Sequence, residues 1–303
     1  VSFGPGSDGV VATWVRDLGL PGLVDIHVHF LPQRVMRKVW AFFDDAERHY
    51  GTAWPVWYRE TEERRLDILR KLGVEQFAPL VYPHKPGMAK WLNEWAREFA
   101  AREPDAVPTA TVYPEPDAAE YVEQALRAGV RCVKVHVQVG AFDPRDPQLE
   151  AVWGMLTDAG IPVVVHCGHG PVRGEFTGLD VFAEVLAEHP RLTAVLAHAG
   201  MPEFGAALDL LDRFPNTYLD TTMVGTPFAE RLSPLPPDWV ARLADVPHRV
   251  ALGTDFPNIP YPYATQLRAI AQWAAADERL GEQFLRAVLY ETPKALLNDA
   301  RGR

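Results

Sequence analysis

Short runs rich in β-branched residues alternate with longer amphipathic stretches from residue 22 almost to the C-terminus. No other feature of the sequence constrains the fold as much. The short runs fall at 22–30, 77–82, 108–113, 131–137, 162–167, 192–198, 217–220 and 249–255. Helical stretches are predicted at 60–73, 87–102, 117–129, 147–159, 178–189, 203–213, 237–245 and 262–276, with one more at 281–297. Gly129 and Gly160 stand where helices end, positions that favour a left-handed turn. Strict strand–helix alternation implies parallel strands joined by right-handed crossovers. Eight such strands close into a barrel filled by side chains. The competing architecture, an open doubly wound sheet, is disfavoured because no Gly-x-Gly-x-x-Gly or phosphate-loop signature follows any strand. The expectation is one α/β domain over 1–303: a (β/α)8 barrel with its core at about 21–277. An extended loop follows strand one, from Leu31 to about Tyr58, and an additional C-terminal helix spans 281–297.

Composition excludes several function classes. The formal net charge is −10, the wrong sign for a broad nucleic-acid surface, and it argues weakly against binding an anionic membrane. No apolar stretch approaches the ~18 residues of a transmembrane span. Two cysteines, Cys132 and Cys167, make no disulfide framework, which fits a reducing cytoplasm. No basic-then-apolar signal segment opens the sequence. The expected partner is a small molecule, with a homo-oligomer possible.

Barrel active sites lie at the C-terminal ends of the strands. Five metal-ligating residue types end strands here: His27 and His29 (strand one), His166 (five), His198 (six) and Asp255 (eight). A His-x-His pair on a strand puts both rings on one face, because side chains alternate with a period of two. Val24, Ile26 and Val28 are then expected to face the helices. The same alternation turns Lys134, Cys132 and His136 inward on strand four, and Asp255 inward with Ala251 and Gly253 on strand eight. Three imidazoles and one carboxylate suit Zn2+, and also Mn2+, Fe2+ or Co2+, with room left for water. Such a cation lowers the pKa of its water towards ~7. Asp255 is the candidate to accept that proton, and His198 to hydrogen-bond the substrate oxygen that gains charge. A lone histidine at a strand end is usually only a satisfied polar residue, so the weight lies on the set.

The string Val24-Asp25-Ile26-His27-Val28-His29, with His166, His198 and Gly253-Thr254-Asp255-Phe256-Pro257, resembles the amidohydrolase superfamily. Within it, the chain is most similar to the amidohydrolase-related group that includes relatives of aminocarboxymuconate semialdehyde decarboxylase. The resemblance implies a cation held by His27, His29, His166 and Asp255, with His198 catalytic or a ligand of a second metal. It also implies a part for Lys134, since two-metal members carry a carboxylated lysine on strand four. The decarboxylase relatives usually lack that lysine, which leans the expectation towards hydrolysis of an amide, ester, lactone or C–C/C–N bond. A non-oxidative decarboxylase remains the alternative, and a non-catalytic metal-binding barrel is the reading from outside enzymology. For substrate binding, Arg173 after strand five is a candidate carboxylate partner, and His136, His84 and His169 are candidate pocket residues. The segment after strand one, with Arg34, Arg37, Lys38, Trp40, Phe42, Phe43, Trp54 and Trp57, is a candidate lid.

Overall fold

Eight parallel strands form in the order the hydrophobic rhythm predicts. The computed structural model describes residues 4–298. The strands are β1 (Leu23–Val28), β2 (Val74–Pro79), β3 (Thr109–Thr111), β4 (Cys132–His136), β5 (Val163–His166), β6 (Ala194–Leu196), β7 (Thr217–Asp220) and β8 (Val250–Ala251). β1 pairs with β2, and β3 through β8 pair in sequence order, all parallel. Two seams complete the ring. At one, Phe77 N donates to Asp105 O and Val107 N to Phe77 O, each at 2.9 Å. At the other, Ile26 N donates to Leu252 O at 2.9 Å and His29 N to Phe256 O at 2.7 Å.

Helices cover the outside. Thr61 caps the helix Glu62–Leu72 by accepting from Arg64 N at 3.2 Å, satisfying one of the donors that a helix start leaves open. Gly160 ends Glu150–Ala159 at φ 63°, the left-handed position expected there. The C-terminal stretch is one helical run with a wide turn at Ala287–Glu291. Val288 O accepts from Leu252 N at 2.9 Å, so this run binds β8 directly. Its end presents Leu296 and Leu297 to a cluster formed with Val24, Ile26, Cys132, Val164, Val195 and Ala251. That cluster is the barrel interior below the site. Full burial of a leucine such as Leu297 contributes about 1.5–3 kcal/mol.

Three expectations need correction. The extended segment 31–58 is present but not structureless: it carries the helices Gln33–Asp44 and Ala46–Tyr50, with 51–58 irregular. Val35, Met36, Val39, Trp40 and Phe43 recur there at helical spacing, and Met36 is buried. Val24 and Ile26 pack inside the barrel rather than against the helices. The β1–β2 pairing shifts register between Asp25 and Val28, and such a bulge resets the alternation. His27 therefore reaches the interior although Ile26 beside it does too. Finally, strand two sits three residues earlier than expected, and regular pairing in β8 stops at Ala251. A helix Val11–Asp17, not anticipated from the sequence, packs near Glu62–Leu72.

Candidate metal centre

The floor of the barrel mouth is built from buried polar groups that have no other reason to meet. His27, His29 and Asp255 bring one ligand atom each to within 4.8 Å of one another. Asp255 Oδ1 lies 2.8 Å from His29 Nε2 and 3.6 Å from His27 Nε2. In each ring the far nitrogen is occupied. His27 Nδ1 donates to Asp220 Oδ2 at 2.8 Å, with Thr222 Oγ1 at 3.2 Å, and His29 Nδ1 donates to Leu80 O at 2.9 Å. Each Nδ1 thereby carries a proton, and each Nε2 faces the carboxylate. Orientation of ligand histidines by carboxylate or carbonyl partners is the usual support of a metal site.

The remaining strand-end histidines surround this group. His198 lies 5.4 Å from His27 and 4.7 Å from His166, centroid to centroid, and His136 stacks on His166 at 4.2 Å. His166 spends Nε2 on Gly170 O at 2.8 Å, which leaves Nδ1 as its only free ligand atom. It lies outside the three-residue group. His198 Nδ1 is buried and has no hydrogen-bond partner. An orphaned imidazole nitrogen costs stability, and at this position it fits a site made for an electrophile.

Protonation states agree with that fit. Burial, reinforced by Lys134, pulls His27 down to about 4, and burial likewise holds His198 near 4. Burial drives both His136 and His166 well below the usual range, reinforced by His166 and Lys134 at His136 and by His198 and Lys134 at His166. Burial pushes the Asp255 carboxyl up, but His29 and His27 outweigh it and keep the group ionised. A neutral His27 beside an ionised Asp255 is the state in which these two groups bind a cation.

Lys134 stands where strand alternation puts it. It is fully buried, with Nζ 3.0 Å from His27 Nε2. Burial lowers it to about 8, against the pull of Asp220 and Asp255. At that value the ammonium still predominates at neutral pH, with about a tenth present as the free amine.

Backbone strain marks the same place. His198, Ala199 and Asp255 adopt φ of 55°, 48° and 67° without being glycine, a cost that persists only where the surroundings impose it. Asp255 thus enters the site from a left-handed turn beyond β8 and His198 from one beyond β6, neither from a regular strand. Gly253 permits the close approach: a Cβ there would fall 2.6 Å from Thr222 Oγ1 and 2.9 Å from His27 Cβ.

Asp220 was not among the residues singled out from the sequence. It is fully buried at the end of β7, where Oδ1 accepts from His198 N at 2.8 Å and from Thr222 N at 3.0 Å while Oδ2 holds His27. Burial opposes its charge, but the interactions with His27, His198 and Lys134 outweigh it and hold the carboxyl below the usual range. Asp25 is the counterpart beneath β1, accepting from Thr254 Oγ1 at 2.6 Å, Tyr263 OH at 2.9 Å and His27 N at 3.1 Å. The only signal for either was a carboxylate on a strand otherwise made of core residues.

The site opens into a cavity of ≈1070 Å3. His84 and His136 line it, whereas Arg173 is exposed and does not. His169 also stays outside, its Nδ1 2.9 Å from Thr177 Oγ1. The helix Gln33–Asp44 forms one wall, and Tyr82, whose ring meets His29 edge-on at 5.1 Å, forms another.

The amidohydrolase family profile matches residues 24–298. The chain belongs to this family. Among solved structures, this amidohydrolase is similar to an uncharacterized TIM-barrel protein from Bordetella bronchiseptica (20% identity, 93% of this chain and 100% of that one, TM-score 0.71). It is similar to 5-carboxyvanillate decarboxylase from Sphingomonas paucimobilis (16%, 91% and 99%, TM-score 0.62). A third is a probable 2-pyrone-4,6-dicarboxylic acid hydrolase from Acinetobacter baumannii (15%, 91% and 99%, TM-score 0.58). At these identities the likeness establishes the barrel and no substrate. No curated protein matches the sequence.

Proposed function

We propose that this amidohydrolase is a metal-dependent hydrolase of a small molecule. His27, His29 and Asp255 are its metal ligands, with His166 as a fourth through Nδ1. The observation that carries the reading is the convergence of two oriented Nε2 atoms and one ionised carboxylate on the floor of a large cavity. A divalent cation, Zn2+ before Mn2+, Fe2+ or Co2+ for this donor set, supplies Lewis acidity and a water acidic enough to ionise near neutral pH.

The protein's own groups supply the rest. Asp255 Oδ1, beside both imidazoles, is placed to accept the proton of the attacking water and return it to the leaving group. His198, held by the Asp220–backbone hydrogen bond, lines the cavity as a neutral imidazole, whose one N–H would donate to the oxygen that gains charge. Lys134 supports hydrolysis over decarboxylation: its buried amine, next to His27, is poised for carboxylation, and a carbamate there would add a bridging anion for a second cation.

Turnover of a panel of small carboxylated esters, lactones and amides in oxygen-labelled water tests the reading. Label in the product, without CO2 release, is expected. Release of CO2 without label would establish the decarboxylase instead. Alongside, Lys134→Ala is expected to lower bound metal from two equivalents to one; one equivalent unchanged by the substitution would remove the bridging lysine from the account.

A further inference from the structure

The cavity has a charge opposite to that of its protein. The chain carries a formal −10, yet Arg34, Lys38 and Lys85 line the cavity and Asp255 is the sole carboxylate among the lining residues. Asp255 is committed to the two histidines on the floor, so it does not neutralise the three cations.

Their placement follows from helix geometry. Residues 34, 38 and 42 lie four apart, as do 35, 39 and 43, and all six line the cavity. The helix Gln33–Asp44 therefore presents two adjacent stripes inward. Arg34 and Lys38 begin one stripe, Phe42 ends it, and the other is wholly apolar. The acids of this region, Asp44, Asp45 and Glu47, stay off the lining. His84 and Lys85, in the segment after β2, line the same cavity. Burial lowers the His84 pKa, and the charges of Lys85 and Lys38 add to it. Arg34 is held by the face of Trp91, 4.5 Å from its centroid, a contact that orders a guanidinium without neutralising it. Among the described residues, no carboxylate pairs with Arg34, Lys38 or Lys85. Elsewhere on this surface arginines do find acids, as Arg59 with Asp44 and Arg70 with Glu103 and Asp105. Like charges four apart on a helix repel, and all three side chains are exposed while lining the cavity, so an anion bound there relieves that repulsion.

We propose that Arg34, Lys38 and Lys85 form an anion subsite, for a carboxylate or phosphate at the end of the substrate remote from the reacting bond. The substrate class is then a molecule with its reacting group at the histidine floor, an apolar body against Val35, Val39 and Phe43, and an oxyanion at the helix stripe. This deepens the hydrolase reading and rests on it only for which end of the ligand reacts. The subsite explains why Arg173, outside the cavity, is not needed as a carboxylate partner.

Calorimetric titration of the metal-loaded protein with linear α,ω-dicarboxylates, from succinate to sebacate, tests it against monocarboxylates of matching length. At the length that spans floor and stripe, the dicarboxylate is expected to bind at least about tenfold more tightly, since a charge-assisted contact is added. Replacing the second carboxylate by a phosphonate at that length shows which oxyanion is preferred. The Arg34→Gln, Lys38→Gln, Lys85→Gln triple variant is expected to lose the advantage while its monocarboxylate affinity and metal content stay unchanged. Should the triple variant misfold, Lys85→Gln alone, at an exposed position, is expected to cut the advantage by at least about threefold. Equal binding of the mono- and dianions at every length would overturn the proposal, as would an advantage that survives in the folded variants. Neither result touches the labelled-oxygen experiment, so the two readings fail separately.

Discussion

Asp220→Asn changes one atom and should disable a histidine that it leaves in place. In the native site Asp220 Oδ1 accepts from two backbone groups, His198 N at 2.8 Å and Thr222 N at 3.0 Å, and Oδ2 accepts from His27 Nδ1 at 2.8 Å. The asparagine carbonyl must stay on the two backbone N–H groups, which have no alternative. Its NH2 then faces His27 Nδ1 and donates to it, moving the imidazole proton to Nε2, the atom aimed at the metal position. Loss of a supporting carboxylate of this kind costs about 10–100-fold in metal affinity or activity, or about 1.4–2.7 kcal/mol. Asp220→Ala would be less informative. It strands two buried N–H groups at about 1–3 kcal/mol each, enough to confuse affinity with folding. The assay is competition for Zn2+ against a chromophoric chelator, with circular dichroism to establish that the variant is folded. A folded Asp220→Asn protein with wild-type Zn2+ affinity would refute the idea that Asp220 sets the His27 tautomer.

Other consequences follow from the same geometry. Gly253→Ala places a methyl 2.6 Å from Thr222 Oγ1 and 2.9 Å from His27 Cβ, overpacking that costs about 1–3 kcal/mol. Its melting temperature and metal content should both fall, and a variant matching wild type in both would show that the close approach is unimportant. The metal-free protein should also lose stability in acid through His198. Its folded-state pKa, about 4, lies below the unfolded value of 6.5, so its contribution is complete above 6.5 and is lost as pH falls towards 4. Each unit of that depression is worth about 1.4 kcal/mol. Between pH 7 and 4.5 the wild type should therefore lose more stability than His198→Asn in denaturant titrations; equal losses would mean His198 is not held neutral by burial.

The barrel was legible because its strands are short, apolar and regularly spaced, and a parallel barrel needs little else. Alternation correctly sent Lys134 and His136 inward and Cys167 towards the helices, because β4 and β5 are regular. It misassigned Val24 and Ile26 because a register shift inside β1 is invisible in a run of hydrophobic residues. Asp255 reached the site for a reason other than the one the alternation offered, from a left-handed turn past the last paired residue of β8. The helix Gln33–Asp44 was readable in its apolar spacing, but its cluster of aromatic and basic residues drew the reading towards a lid loop. Asp220 was not readable. Its partner is 193 positions away in the sequence, and only closure of the barrel brings the two together. Arg173 shows the converse, since a suitable residue type after the right strand still points outside the cavity.

Whether His27, His29 and Asp255 hold a divalent cation is decided by elemental analysis of the purified protein beside a folded His27→Asn, His29→Asn double variant. At least one equivalent of metal per wild-type chain, and none in the variant, is the predicted result. Metal retained at full stoichiometry by the double variant would contradict it.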